Sequence, residues 1–266
     1  MRDGKVSLLS RVVTVLVYAF LMAPLLVIIL ASFSPTPIVT FPPKGFSTEW
    51  YAKIFDSSTN FVSGFVNSME VAALATLVDI VLGVSAALAV SRYRFRGREA
   101  LVTFFTSPMY VPSITFAFVL LNVTSAIGGI PAFAKILLGH VVIVLPYIVR
   151  NTLAVLASFN WTLEDAAAGL GANAWQTFRH VTFPLIKPGV TAGALLSFLY
   201  SFDEVVLAGL LSSAKFMTLP IRIMNYMEFS FDPTLAAVST LLILFSFAAI
   251  LLLERFMGLD MFIKQD

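Results

Sequence analysis

Six runs of about twenty apolar residues, parted by short polar intervals, divide this chain of 266 residues. A helix rises 1.5 Å per residue, so a run of ~20 crosses the ~30 Å hydrocarbon core of a bilayer. The runs lie at about 12–33, 66–90, 101–121, 136–157, 189–211 and 233–253. Backbone groups in lipid must be satisfied within the segment, and runs of this length do so as helices. The expected fold is an all-α membrane protein of six transmembrane helices in one domain, residues 1–266. Pro108, Pro112 and Pro146 fall inside runs, where neighbouring helices or water must replace the hydrogen bonds they remove.

Composition narrows the function classes. The chain is 59% hydrophobic and 12% charged, far too apolar for a soluble domain. A net charge of +2 does not suggest nucleic acid, and the lack of cysteine removes disulfides and thiolate metal sites. No G-x-x-x-x-G-K-[ST] loop is present to cradle ATP phosphates. His140 and His180 lack metal-ligand spacing, and no nucleophile–base pair stands out, so no catalytic residue and no metal ligand is expected. The first run has no clear cleavage site and is expected to be a retained span. Residues 1–10 are short, basic and polar, and are expected to form an interfacial turn. The interval 34–61, rich in proline and aromatic residues, reads as an ordered loop against the membrane surface.

The basic residues give an orientation. Arg2, Lys5, Arg11, Arg92, Arg94, Arg96, Arg98, Arg150, Arg179, Lys187, Arg255 and Lys264 fall on one set of ends. Lys44, Lys53, Lys135, Lys215 and Arg222 fall on the other. The richer set is expected to be cytoplasmic, with both termini and the interval 158–188. No inverted repeat relates the two halves, which weighs against many secondary transporters.

The interval from Leu163 to Pro188 has its own design. Leu163, Ala167 and Leu170 give one short helix an apolar face. Gly171 suits the stop of that helix. Trp175, Phe178 and Val181 make a second apolar row, which Pro184 is expected to end. Asp165-Ala166-Ala167, three residues, Gly171, nine residues and Val181-x-Phe183-Pro184 resemble the EAA loop of ABC importer permeases. The family pattern is E-A-A, three residues, G, nine residues, I-x-L-P; Asp replaces Glu here, with Glu164 just before it, Val replaces Ile and Phe replaces Leu. That resemblance implies a type I ABC importer permease fold in the bacterial inner membrane. It implies partners: a homologous permease, two ATP-binding subunits and an extracytoplasmic substrate-binding protein. No cofactor would bind this chain; ATP and Mg would sit on the partner ATPase. Glu164, Asp165, Ala166, Ala167, Gly171, Trp175, Phe178 and Pro184 would form the coupling loop, with Trp175 and Phe178 as apolar anchors.

Four acids lie within spans: Glu70 and Asp79 in the second, Asp203 and Glu204 in the fifth. A charged side chain at the bilayer centre costs roughly 2.5–3.5 kcal/mol on insertion scales, so such residues face a cavity or a partner. Read as neighbours on one helix, Asp203 and Glu204 point about 100° apart. Asp203, Glu204, Asp79 and nearby Tyr200 are the expected substrate-path residues, and carboxylates favour a cationic solute. The segments SFDEVVLAGLLSS, TLPIRIMNYMEFSFDPTLAAVST, RYRFRGRE, VPSIT and LPYIVRNT resemble the second permease of spermidine/putrescine-type importers. A polyamine is therefore the leading substrate; 4-aminobutyrate, an opine or an aminophosphonate are alternatives. Different classes are a proton-coupled secondary transporter and an uncoupled channel or scaffold.

Overall fold

The computed structural model describes residues 8–38 and 42–257. The basic turn expected around Arg2 and Lys5 and the C-terminal tail at 258–266 lie outside the described residues. The helices are α1 (Leu8–Ala31), α2 (Glu49–Lys53), α3 (Phe61–Arg92), α4 (Arg98–Thr106), α5 (Ser113–Ile127), α6 (Ala132–Leu156) and α7 (Thr162–Gly169). There follow α8 (Ala174–Thr177), α9 (Phe183–Asp203), α10 (Val206–Leu211), α11 (Leu219–Phe229) and α12 (Thr234–Met257). The chain divides into two units, Met1–Val62 with Arg222–Phe245, and Ser63–Ile221 with Ser246–Asp266.

In the first unit, α1 turns apolar side chains outward along most of its length. Ser32 and Ser34 just beyond it are buried and fully engaged. Trp50 Nε1 donates to the Ser34 carbonyl at 2.6 Å, and the Tyr51 and Ser32 hydroxyls lie 2.7 Å apart. The Phe33 and Phe46 rings stack at 4.5 Å. The aromatic residues of the described part of this loop thus pack on the end of α1. Lys53 Nζ donates to Asp232 Oδ2 at 2.6 Å, Tyr226 Oη donates to the same oxygen at 2.9 Å, and Thr234 N donates to Oδ1 at 3.0 Å.

The second unit is built on α6. Val71, Ala75, Asp79, Gly83 and Ala87 recur every fourth residue along α3, and all are buried. A Cβ at Gly83 would stand 2.7 Å from Ile148 Cγ2, so α3 meets α6 with a glycine at the closest point. From another element, α9 presents Gly189, Gly193, Ser197 and Ser201, again every fourth residue and all buried. A Cβ at Gly189 would stand 2.6 Å from the Asn151 carbonyl oxygen, and one at Gly193 2.9 Å from Ile148 Cα. Ser197 Oγ donates to the Val144 carbonyl at 3.0 Å, and Ser201 Oγ lies 2.7 Å from His140 Nδ1.

Three expected elements differ. The third run is not one straight span: α4 and a 3₁₀ turn at Ser107–Tyr110 meet α5 at a 100° bend. Pro112 lacks a donor and sits extended at the head of α5, which is where the helix can restart. Among the described residues, five helices are thus long and apolar enough to cross a membrane, or six if the bent pair is one span. The fifth run ends as a helix at Asp203 and resumes at Val206, because Glu204 is extended. Pro184 does not end the second short helix. A π turn at Phe178–Thr182, closed by Phe183 N–H on the Phe178 carbonyl, carries α8 into α9. The extra residue in that turn shifts the hydrogen-bond register just where proline removes a donor. The interval 212–232 holds α11, whose Pro220 falls in the first turn, where a missing N–H does no harm.

The Asp232 cluster sets a pH window. Burial pushes Asp232 up, but hydrogen bonds from Lys53, Thr234 and Tyr226 outweigh it and hold the carboxyl below its ordinary value of 3.8. The Asp232 hydrogen bond, then Tyr226, outweighs burial at Lys53 and holds the ammonium above 10.5. A depressed acid stabilises the fold above its unfolded pKa and loses that contribution as pH falls through the folded value. A raised base stabilises below its unfolded pKa and loses it as pH rises through the folded value. Asp232→Asn should therefore lower stability at neutral pH by about 0.2–1 kcal/mol, a small figure because Lys53 is 39% exposed. Melts of the two proteins across pH should converge in acid below the ordinary carboxyl value and again in strong alkali.

Candidate functional site

The loop between α6 and α9 takes its shape from a few residues. α7 stops at Gly169, and Gly171 has φ +86°, a left-handed value that glycine adopts without a Cβ clash. Asn173 and Gln176 then form a reciprocal cap: Gln176 N donates to Asn173 Oδ1 at 2.9 Å, and Asn173 N to Gln176 Oε1 at 2.8 Å. The apolar row of α7 is not buried. Leu163 and Leu170 are exposed, and Ala167 is half-buried. The inward side chain is Glu164, which accepts from Arg92 Nη1 at the end of α3 and from Thr182 Oγ1 at 2.5 Å. Arg92 also lies over the Trp161 ring, 5.7 Å from its centroid.

This arrangement separates the two adjacent acids of the motif. Asp165, onto which the resemblance carried the acidic role, is exposed beside a cavity of about 510 Å³. Glu164 is the one that ties the loop to α3. Ala166 is exposed, Pro184 is exposed, and Phe178 is half-buried with its ring 5.8 Å from that of Trp175. Trp175 is 65% exposed. Trp175, Leu170 and Leu163 together leave apolar surface on the loop that no described residue covers.

The expected path residues also separate. Asp79 is fully buried, on the α3 face that carries Ala75 and Gly83, and neither carboxyl oxygen has a hydrogen-bond partner. Glu204 is buried as well, but fully used. Its oxygens accept from Val206 N at 3.1 Å, from Leu207 N at 3.0 and 2.8 Å, and from Ala208 N at 3.0 Å. It caps the first turn of α10, while His140 Nε2 stands 4.0 Å away. Of the three expected acids, Asp203 alone is exposed. Asp203 is exposed at the end of α9, one turn beyond exposed Tyr200, whose ring lies 5.4 Å from that of Tyr147. Glu70 is also exposed, on α3.

Linear spacing did not mark several of these partners. Arg92 lies 72 residues before Glu164, and His140 lies 61 before Ser201. Tyr147 sits inside a segment singled out only as a whole. Arg150, counted with the basic ends, is two turns inside α6, with Nη1 3.8 Å from Met109 Sδ. The available signal was the four-residue recurrence of small residues in α3 and α9, which fixes which faces meet.

Residues 79–259 match the family described as binding-protein-dependent transport system inner membrane component. The chain belongs to that family. The spermidine/putrescine transport system permease protein PotC of Haemophilus influenzae is 32% identical over 89% of this chain and 91% of its own length. The putrescine transport system permease protein PotI of Escherichia coli K12 is 30% identical over 87% of this chain and 84% of its own. Among solved structures, a chain of a bacterial ABC transporter involved in import of the acidic polysaccharide alginate superposes with a TM-score of 0.71. It is 17% identical and covers 96% of this chain and 98% of its own length, which supports the fold. The family is thus one of membrane components of transport systems.

Within this component, the Arg92–Glu164 pair is asymmetric. Arg92 is half exposed and Glu164 is 5% exposed. Removing Glu164 frees a guanidinium that water can solvate. Removing Arg92 strands a buried carboxylate with only Thr182 to bond. Arg92→Ala should lower the unfolding free energy by about 1–3 kcal/mol, and by more than Glu164→Ala does. Melting curves of the two variants in the same detergent check the order.

Proposed function

We propose that this chain is the transmembrane subunit of an ATP-driven ABC importer and forms half of the path for a polyamine. The observation that carries this is the face where exposed Asp203 follows exposed Tyr200 by one turn, with the ring of half-buried Tyr147 5.4 Å from that of Tyr200. A carboxylate one helical turn from a tyrosine ring suits an alkylammonium, through ion pairing and ring-face attraction. Relatives that carry spermidine and putrescine in their names support the substrate. In this reading the termini and residues 158–188 face the cytoplasm, where the loop seats on one of two ATP-binding subunits that hold ATP and Mg. A second, homologous permease completes the path, and an extracytoplasmic protein delivers the solute to the opposite face.

The loop and the candidate face are joined by one piece of structure. From Ala174 to Asp203 the helix is continuous over 30 residues. Trp175 is at one end and Tyr200 and Asp203 are at the other. At 1.5 Å per residue the rod is about 45 Å long. A displacement of the ATP-binding subunit, gripped at Trp175, Phe178 and Leu170, is thereby passed to the substrate face as a rigid-body shift.

Uptake by the assembled complex in vesicles, with ATP inside, tests both halves. Asp203→Asn should cut spermidine uptake roughly 10- to 100-fold, the value of a hydrogen bond to a charged group, with subunit assembly retained. Glu204→Ala should instead lower stability, by about 1–2 kcal/mol for the lost cap. Uptake that ignores Asp203→Asn, or that favours a neutral disaccharide over spermidine and putrescine, would remove the polyamine reading. Uptake driven by a proton gradient without ATP would remove the importer itself.

The grip is tested separately. Trp175→Ala should weaken co-purification of the ATP-binding subunit by about 2 kcal/mol or more, as for an aromatic anchor at an interface. Full binding and full ATP-dependent uptake in that variant would mean that Trp175 is not an anchor.

A further inference from the structure

The turn between α3 and α4 carries four arginines in seven residues, Arg92, Arg94, Arg96 and Arg98. Arg92 is committed to Glu164. Arg94, Arg96 and Arg98 are exposed, and none has an ion pair among the described residues. Gly97, at φ +92°, reverses the chain tightly enough to leave an open concavity of about 610 Å³ lined by Arg94, Phe95, Gly97, Arg98 and Glu99. Two guanidinium groups face one carboxylate there, so the concavity keeps a net positive charge.

The turn also has a fixed depth. α3 is 32 residues long, about 48 Å, so its end emerges from a ~30 Å hydrocarbon layer. The next helix turns apolar side chains outward again at once, Leu101 and Phe104 being exposed. Between them Tyr93 and Phe95 are exposed, alternating with the arginines. Aromatic rings between cations, at a point where the chain leaves and rejoins apolar surroundings, match the headgroup level of a bilayer. Arginine's planar fork fits phosphate oxygens in pairs.

We propose that Arg94 and Arg98 hold the phosphodiester of an anionic phospholipid, with Tyr93 and Phe95 packed against its acyl region. The site adjoins Arg92, so an occupied headgroup also steadies the turn from which the Glu164 tie departs. An acidic protein surface is the competing occupant. The interleaved rings favour lipid, since they put apolar area at the membrane boundary.

Native mass spectrometry of the complete complex, released from vesicles of phosphatidylcholine with or without phosphatidylglycerol, reads the site. The wild type should retain phosphatidylglycerol in preference to phosphatidylcholine, and less so as salt rises. Each arginine near an anionic surface contributes roughly 5-fold, so R94Q/R98Q should lower retention about 30-fold. R94K/R98K keeps the charges and should retain most of it, which guards against a variant that merely fails to assemble. R96Q, outside the concavity, should change retention less than either R94Q or R98Q. Undiminished phosphatidylglycerol on R94Q/R98Q would overturn the proposal. So would equal displacement by soluble glycerol phosphate, which would make the ligand a free phosphate ester. Loss of the ATP-binding subunits from R94Q/R98Q with lipid retained would assign the arginines to a protein interface instead.

Discussion

The second unit depends on how closely α9 approaches α6. Between apolar helices in lipid there is no hydrophobic drive to associate, so packing and interhelical hydrogen bonds must hold them. Gly189 and Gly193 remove the side chains that would keep the backbones apart; a Cβ at either would overlap α6 backbone atoms. Two turns further on, Ser197 and Ser201 occupy the same face and convert proximity into hydrogen bonds, to the Val144 carbonyl and to His140. On α6 the facing positions are Thr152, Ile148, Val144 and His140, also four apart and all fully buried. Two recurrences of the same period run antiparallel and in register. At Ile148 the helix is met from both sides, by Gly193 of α9 and Gly83 of α3.

That pairing makes α9 a rod rather than a loosely tilted span. Both ends of the rod bear local exceptions to helix geometry. At the loop end the π turn keeps the chain helical through Pro184, so the loop is joined to the membrane helix without a hinge. At the other end Glu204 abandons helical geometry and spends its carboxylate on three backbone N–H groups of α10. These donors would otherwise lack partners at a helix start in an apolar setting. His140, bonded to Ser201, stands behind the same carboxylate. The break is therefore fixed by the α6–α9 contact that precedes it.

The membrane class, most span positions and the loop's turn at Gly171 were legible in the sequence. They follow from run lengths, from one glycine and from motif spacing, all of which act locally. The errors came where a side chain at a distance decides a local conformation. An apolar run through 189–211 gives no sign that Glu204 will be extended, because the reason is the need to cap the next helix. Proline at 184 marks a helix end by local rules, and the π turn that overrides it includes Thr182, which bonds Glu164 18 residues earlier. The row Leu163, Ala167, Leu170 has a helix period but points outward. Periodicity shows that a face is apolar and says nothing about which surface covers it. The recurrence Gly189, Gly193, Ser197, Ser201 was there to be read, and it identifies the tightest contact.

Asp79, Asp203 and Glu204 show why an acid within a span is not by itself a site. Asp79 belongs to the α3 packing face, where neither of its carboxyl oxygens has a hydrogen-bond partner. Glu204 is already surrounded by donors, so a cation at that carboxylate would have to displace helix N–H groups. Asp203 differs from its neighbour by one residue and by the end of a helix. The last carbonyls of α9 lack intrahelical partners and carry the negative end of the helix dipole. An acid placed there is opposed by like partial charge and has no partner of its own among the described ion pairs. A positive group relieves both at once, since the carboxylate and the carbonyl dipoles attract it together. Under the polyamine proposal, this environment would make Asp203 less favourable without a cation than with one. Under the same proposal, Tyr200, one turn before Asp203 and packed on Tyr147, would offer an apolar ring face to the methylene chain that separates the charges of a polyamine.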